Sequence, residues 1–308
     1  MTSAISALPP GFAADEFRPA RSMARRWATR CCLTILLALP VAGAASELFP
    51  DPALEAAVRT QVFAKRGTEA PLVEADVVNI STVEAKGRGI TNLAGLEKCR
   101  SLAMLDLAGN KVSDLSPLSG LQRLQFLDVQ SNRVENLKPL AGVTALQYLH
   151  LAQNKVEDLS ALAGLTNLSA LYLTGNKVED IRPLLDLRRL SSLYLDRNRI
   201  RDISGIGQIR GLSSLSLAYN RVQDLRSLHG LNRLQHLFLE HNRIRDLAPV
   251  VTWVKADAEQ RFAPFLNLYL ADNPLSSTAR KEQLKEVESA GVRVRWGDES
   301  AKKSAPAH

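Results

Sequence analysis

Asparagine recurs every 22 residues through the middle of this chain, and that spacing constrains the fold more than any other feature of the sequence. The positions are Asn110, Asn132, Asn154, Asn176, Asn198, Asn220 and Asn242, and Asn273 follows after a longer interval of 31 residues. Leucines keep the same register, as Leu149 and Leu151 do before Asn154. A fixed period of this length is typical of a solenoid, in which each coil buries its apolar side against the next.

Each unit divides into a strand and a return segment. In Leu149-His150-Leu151 the alternation predicts a short strand with the leucines inside and His150 outside. Strands of successive units would lie parallel, about 4.8 Å apart. The return segments would be turns or 3₁₀ helices, often begun by a proline, namely Pro117, Pro139, Pro183 or Pro249. Asparagine has both donors and an acceptor, so we interpret the repeated asparagines as structural partners for backbone groups inside the coils.

The segment from Leu146 to Val156 reads L-x-x-L-x-L-x-x-N-x-V, which resembles the leucine-rich repeat family. The 22-residue length is similar to the internalin-like class, which also includes a eukaryotic phosphatase regulatory subunit. The resemblance covers about residues 80–275, or nine units. It implies an α/β leucine-rich repeat solenoid, a right-handed arc with a parallel sheet on its concave face. It also implies a non-enzymatic binding module whose partner is a cell-surface or host protein.

The segments around the repeats predict covers for the two open ends. Residues 45–79 form an N-terminal cap with a helix from Asp51-Pro52 to Gly67, and residues 276–296 form a C-terminal cap of a helix and a strand. An insertion at 251–264 shows helical spacing of Val251, Val254, Ala258 and Phe262. Residues 297–308 are expected to be a disordered tail.

The start of the chain is typical of a signal peptide. Three arginines precede an apolar run from Cys31 to Ala44, and small residues at its end predict cleavage near Ala44/Ala45 within a leader of residues 1–44. The run is shorter than the ~20 residues of a membrane span, although an uncleaved anchor is an alternative. Met23 could be the true start. We therefore predict a periplasmic or secreted protein with no integral membrane span after cleavage, and with Cys99 as its one cysteine.

Charge excludes one class of partner. Without residues 1–44 the chain has 34 basic and 30 acidic residues, too mild an excess to predict nucleic-acid binding. The charge is uneven, because residues 45–181 are net −3 and residues 182–261 are net +6. A Lys or Arg follows each of the seven regular asparagines, and an acidic residue or Asn comes three positions later. We expect these two columns to neutralise each other along one edge.

Aromatic residues make up only 5% of the chain, yet all five tyrosines fall on outward positions of the strand segments. Tyrosine is favoured in recognition surfaces, although neighbouring rings on strands also stack simply for stability. We predict a binding surface made of Phe126, Tyr148, His150, Tyr172, Tyr194, Tyr219, Phe238 and Tyr269. A protein partner is the first expectation. Alternatives are a cell-envelope glycan stacked on the tyrosine row or, without export, a scaffold subunit like the phosphatase regulator.

Enzymatic chemistry has little support. Asp106 and Asp128 would lie about 5 Å apart with His150 beside them, a spacing that suits a glycosidase pair or a weak metal site. A flat sheet supplies no enclosed pocket to shift their pKa values, and no catalytic or zinc motif is present. His236, Glu240 and His241 form a second polar cluster that we interpret as surface. The sequence therefore predicts no enzyme, no cofactor and no metal.

Overall fold

The computed structural model describes residues 48–297, and this part of the chain forms one solenoid built on a ten-stranded parallel sheet. The strands follow chain order from β1 to β10, each paired with the next. Their bounds are β1 Thr82–Glu84, β2 Met104–Asp106, β3 Phe126–Asp128, β4 Tyr148–His150, β5 Ala170–Tyr172, β6 Ser192–Tyr194, β7 Ser214–Ser216, β8 His236–Phe238, β9 Asn267–Tyr269 and β10 Arg293–Arg295. The predicted leucine-rich repeat solenoid is confirmed.

Register between strands follows the sequence period. Leu127 of β3 lies beside Leu149 of β4, which lies beside Leu171 of β5. Each of these central leucines is fully buried, because alternation turns the middle residue of every three-residue strand toward the inside of the coil. The outward neighbours therefore form straight columns across the sheet. We call the side of the sheet that carries them the sheet face.

The return segments are 3₁₀ turns, and three of them place proline at the second position. Their bounds are Leu96–Lys98, Ser116–Leu118, Lys138–Leu140, Ser160–Leu162, Arg182–Leu184, Ile206–Gln208 and Arg226–Leu228. Two turns differ from the others, since Gly95 and Gly205 precede them in the left-handed region. At these positions glycine is needed, because the conformation is unfavourable for a residue with a side chain.

The repeated asparagines connect each coil to the one before it. The side chain of Asn154 accepts from the backbone N–H of Val134 at 2.9 Å and donates to the carbonyl oxygens of Val129 at 2.8 Å and Leu151 at 3.0 Å. Asn176 makes the same three contacts one coil later. These amides are buried, so their bonds satisfy backbone groups that the sheet does not reach.

The residue before each asparagine was not anticipated as a special position. It lies in the left-handed region in every coil, with φ between 53° and 71° at Gly109, Ser131, Gln153, Gly175, Arg197, Tyr219, His241 and Asp272. Only two of these are glycine. The conformation costs a non-glycine residue about 1 kcal/mol or more, so the coil geometry imposes it.

The first helix, α1 (Pro52–Arg59), is shorter than the sequence predicted. It ends at Arg59, and a separate 3₁₀ turn, Phe63–Lys65, follows before Gly67. Asp51 fixes its start with both carboxylate oxygens. One accepts from the N–H groups of Ala53 and Leu54, and the other accepts from Thr91 and Asn92 in the first coil. Burial raises the pKa of Asp51, but these backbone donors outweigh it and hold the pKa below its ordinary value.

Further helices lie before and after the regular coils. A short helix, α2 (Glu74–Val77), precedes β1. Helix α3 (Ala248–Lys255) begins before the inserted segment and ends within it, so the predicted helical run to Phe262 is wrong beyond Lys255. Phe262 lies outside the helix but stacks on Trp253, with ring centroids 4.8 Å apart. A π-helical turn, Ala279–Gln283, leads into α4 (Leu284–Ser289), and β10 then pairs with β9.

Several expectations concern residues outside 48–297. The signal peptide, its cleavage near Ala44/Ala45 and most of the tail lie outside the described residues. Among the described residues no helix is long and apolar enough to span a membrane. Cys99 is buried, and burial together with the nearby Glu97 carboxylate raises the pKa of its thiol to about 12. The thiol is therefore protonated and unreactive in the folded protein.

Candidate interaction surface

Three columns of side chains make up the sheet face. The first and third residues of each strand supply two columns, and the residue two positions beyond the strand supplies a third. The third column contains Thr174, Asp196 and Glu240, and the backbone pairing continues through it. Alignment of the repeats within the sequence identified the first two columns. The third was overlooked, apart from Glu240, although its members recur at the same 22-residue spacing.

Five of the eight predicted binding residues form one contiguous group. Phe126 and Tyr148 stack with ring centroids 4.3 Å apart, and Tyr172 and Tyr194 stack at 4.9 Å. Tyr148 also contacts Tyr172 at 5.3 Å, which joins the two pairs. We call Phe126, Tyr148, Tyr172 and Tyr194 the aromatic ladder; all four are partly exposed. Burial raises the pKa values of the three tyrosines, so their hydroxyl groups remain protonated donors at physiological pH.

His150 belongs to this group but is only 1% exposed. Alternation alone placed it in solvent, whereas the structure packs its ring 4.9 Å from that of Tyr172. Its Nδ1 lies 3.2 Å from Oδ2 of Asp128. The aromatic neighbours cover the imidazole because the strand spacing of about 4.8 Å brings the rings of adjacent strands into contact. His150 therefore supports the ladder and offers almost no contact area of its own.

The other three predicted residues lie further along the sheet. Phe238 and Tyr269 stack at 4.3 Å and are buried, which again differs from the exposure expected from alternation. Tyr219 occupies the left-handed position before Asn220 and is partly exposed. Its ring stacks on His241 at 4.0 Å, and the guanidinium of Arg197, from the equivalent left-handed position one coil earlier, lies 4.0 Å from the ring centroid. The structure thus divides the predicted site into two groups.

The aspartates that could suggest catalysis have structural contacts. Asp106 accepts from the N–H of Ala108 at 2.9 Å, and Asp128 accepts from that of Gln130 at 2.8 Å. Burial raises the pKa of Asp106, and the neighbouring Asp128 carboxylate adds to the effect. In residues 48–297 no group of three or more His, Cys, Asp and Glu side chains is placed to hold a metal ion.

Asp196 of the third column lies in a buried polar cluster that the sequence did not reveal. Its carboxylate accepts from the hydroxyl groups of Ser216 and Thr174 and from the N–H of Ala218. The residue is only 2% exposed, and burial raises its pKa to about 6, although these hydrogen bonds oppose the rise. The carboxylate is therefore costly to keep ionised at neutral pH.

We expect Asp196→Asn to stabilise the protein at pH 8 and to have little effect near pH 4. A raised folded-state pKa means that the contribution of Asp196 is fully present below about pH 4 and is lost as the pH rises through about 6. The loss amounts to at most about 3 kcal/mol. Urea unfolding at the two pH values measures it, with Asp158→Asn as control. The pKa of exposed Asp158 is lowered by its bonds to Ser160, so that variant should gain nothing at pH 8.

The charged side chains on the edge of the coils form ion pairs other than those predicted between the basic and acidic columns. Lys155 pairs with Glu135 at 3.2 Å and Arg199 with Glu179 at 3.9 Å, each across to the preceding coil. The aspartates three positions after the basic residues instead accept from the 3₁₀ turns that follow them, as Asp158 does from the N–H of Ser160. The basic and aspartate columns therefore do not neutralise each other. The aspartates begin the turns.

Parallel strands, buried leucines and a hydrogen-bonded asparagine in each regular coil define a leucine-rich repeat solenoid. The family profile described as leucine rich repeats (two copies) matches residues 100–142, 122–164, 144–185 and 166–208, and a leucine rich repeat profile matches residues 188–244. No match was found among curated proteins.

Solved structures from Listeria monocytogenes are similar to this chain. An internalin C2 (inlC2) is 32% identical over 66% of this chain and 89% of its own, with a TM-score of 0.63. An internalin (inlF) is 27% identical over 85% of this chain and 73% of its own, with a TM-score of 0.72. The functional domain of InlJ, 21% identical over 74% of this chain and 52% of its own, shares the fold with a TM-score of 0.62. The chain belongs to the internalin-like leucine-rich repeat family.

Proposed function

We propose that this protein is exported and holds a protein partner against its sheet face. The aromatic ladder carries the proposal. Its rings already touch one another, so little side-chain entropy would be lost on binding. Partly exposed tyrosines with protonated hydroxyls offer both apolar area and hydrogen-bond donors, the combination that dominates protein–protein hot spots. Leucine-rich repeat solenoids serve as interaction scaffolds, which agrees with this use.

Charge along the sheet face suggests how a partner is oriented. The third positions of β1, β2 and β3 are Glu84, Asp106 and Asp128, whereas the last strand carries Arg293 and Arg295. The face therefore changes from acidic to aromatic to basic along its length. A partner with the reverse pattern would be steered into one register, because complementary charges act mainly on encounter rate and specificity.

The packing of the ladder disfavours the glycan alternative. Sugar rings would have to stack on the faces of the tyrosines, but Tyr172 and Tyr194 cover each other at an interplanar angle of 8°. Phe126 and Tyr148 do the same at 7°. Stacking covers one face of each ring in these pairs, which reduces the area on which a sugar could stack.

Site-specific photo-crosslinking tests the proposal. We expect benzophenone introduced at position 172 or 194 to crosslink one polypeptide in the native host, and benzophenone at position 182 on the 3₁₀ side to crosslink none. Combined Tyr172→Ala and Tyr194→Ala should weaken binding of that polypeptide by at least about tenfold, because each residue is a candidate hot spot. Arg182→Ala is the matched control, since Arg182 is highly exposed on the return side. Equal crosslinking at both sites, or unchanged affinity, would reject the sheet face as the binding surface.

N-terminal sequencing of the fractionated protein tests export, and a mature start far from residue 45 would reject the predicted export.

A further inference from the structure

A second candidate site lies away from the sheet face, beside the inserted segment. A cleft of about 940 Å³ opens between the last regular coils and the segment that contains α3. Arg188 and Arg210 line it from equivalent positions, each four residues before a strand, and Arg233 follows in the next coil. Arg188 and Arg210 are therefore one coil apart in register, whereas Arg233 lies one position beyond the equivalent residue, Asn232, and lines the same cleft.

These three arginines are exposed, and their guanidinium groups are unpaired within the described residues. Within residues 48–297 none of them forms an ion pair or a side-chain hydrogen bond, in contrast to nearby arginines. Arg189, one residue away, donates to Asn167 at 2.6 Å, and Arg182 pairs with Asp180 at 2.7 Å. Neighbouring like charges repel, so three unpaired guanidinium groups that line one cleft are unfavourable without a counter-charge.

The acidic residues of the cleft do not supply that counter-charge. Asp257 accepts from the backbone N–H groups of Arg261, Phe262 and Ala263 at 2.9–3.0 Å. These bonds close the loop after α3 and outweigh burial, so the pKa of Asp257 lies below its ordinary value. Glu259 pairs with Arg261 at 2.6 Å. Arg188, Arg210 and Arg233 therefore leave the cleft net positive.

A buried donor adds an independent observation. Trp253 also lines the cleft and is only 2% exposed, and its Nε1 has no hydrogen-bond partner in the part of the chain that the structure describes. An indole nitrogen can only donate, and leaving a buried donor unsatisfied is unfavourable. Stacking on Phe262 keeps the indole in place. The polar groups of the cleft without a partner among the described residues are thus three guanidinium groups and one buried indole N–H.

We propose that this cleft binds the phosphate group of a ligand. Guanidinium forks match phosphate oxygens in bidentate geometry, and a dianion with several acceptor oxygens can serve two or three arginines at once. A single carboxylate has fewer acceptors and half the charge. The site is separate from the sheet face, so a partner protein and a phosphorylated ligand could be held together.

Calorimetric titration at constant ionic strength tests the assignment and distinguishes the sources of phosphate. The probes are inorganic phosphate, glucose 6-phosphate, phosphatidylcholine vesicles with and without phosphatidic acid, acetate and polyglutamate. We expect saturable binding of at least one phosphate probe and none of acetate. Tighter binding of the sugar phosphate indicates a phosphorylated glycan, and tighter binding of the acidic vesicles indicates a lipid headgroup.

Variants locate the site. Arg210→Gln should weaken phosphate binding at least about tenfold, since it removes a charge-assisted hydrogen bond to the phosphate. Arg189→Gln removes the same charge one residue away from the cleft and should leave affinity unchanged. No binding of any phosphate probe, equal loss in Arg210→Gln and Arg189→Gln, or preference for acetate or polyglutamate would overturn the proposal.

Discussion

Asn154→Ala should lower the free energy of unfolding by about 4 kcal/mol, a large part of the stability of a typical domain. Alanine removes one acceptor and a double donor from the inside of the solenoid. The N–H of Val134 and the carbonyls of Val129 and Leu151 then remain buried without this partner. Each unsatisfied buried group costs about 1–3 kcal/mol, and the small cavity left by the amide adds to the loss.

Urea unfolding followed by circular dichroism measures the effect. Gln147→Ala is the matched control, because it removes an amide from the same coil. The Gln147 side chain is exposed, and its one hydrogen bond, to Gln125, is long at 3.4 Å. We expect that control to change stability by less than about 0.5 kcal/mol. Similar midpoints for the two variants would show that the asparagine ladder does not stabilise the coils.

Gly207→Ala should destabilise the protein by about 3 kcal/mol or more, although alanine is usually the better residue in a turn of this kind. A Cβ at this position would lie 2.8 Å from the carbonyl oxygen of Ser227 and closer still to that of His229. Both oxygens belong to the backbone of the next coil, which is held by its own buried leucines. The clash can be relieved only by separating two coils.

Gly164→Ala provides the comparison, since no atom lies within 4 Å of a Cβ built there and its φ is not positive. We expect this variant to have a thermal midpoint equal to or slightly above that of the wild type. Its free energy of unfolding should rise by up to about 1 kcal/mol, because alanine restricts the unfolded chain more than glycine does. The crowded and open glycines should therefore shift the midpoint in opposite directions. A stable Gly207→Ala protein would indicate that the coil of Gly207 and the coil of His229 pack more loosely than the structure shows.

The fold was predictable because each repeat of the strict 22-residue period indicates the same positions for the strand and the turn. Leu149, Leu171 and their equivalents fix the inner side of every strand, and Asn154 and its equivalents fix the turn. A correct assignment of the strand and the turn in one coil therefore assigns them in the other regular coils. The irregular segments lack this redundancy, so the ends of α1 and α3 were misjudged: the apolar spacing continued past Arg59 and Lys255, while the chain turned to complete the neighbouring coil.

The candidate sites were only partly predictable. Alternation identifies which side chains leave the sheet but not how far the neighbouring rings cover them, so the burial of His150 depended on Tyr172 in the next coil. Asp196 was missed because its column continues beyond the strand. The cleft near Trp253 could not be read from a period, since it is made by the one segment that interrupts the repeat.

The asparagine bonds also determine how such a chain can change in length. Asn154 reaches backbone groups 20 and 25 residues earlier, and Asn273 reaches the same groups across the insertion at intervals of 29 and 34 residues. The nine extra residues are therefore absorbed on the return side without moving the strand. Gene duplication or loss of one whole coil would preserve every bond, whereas an insertion of one residue within a strand would misalign it. Evolution can thus adjust the reach of this protein in steps of one strand spacing and elaborate its far side independently.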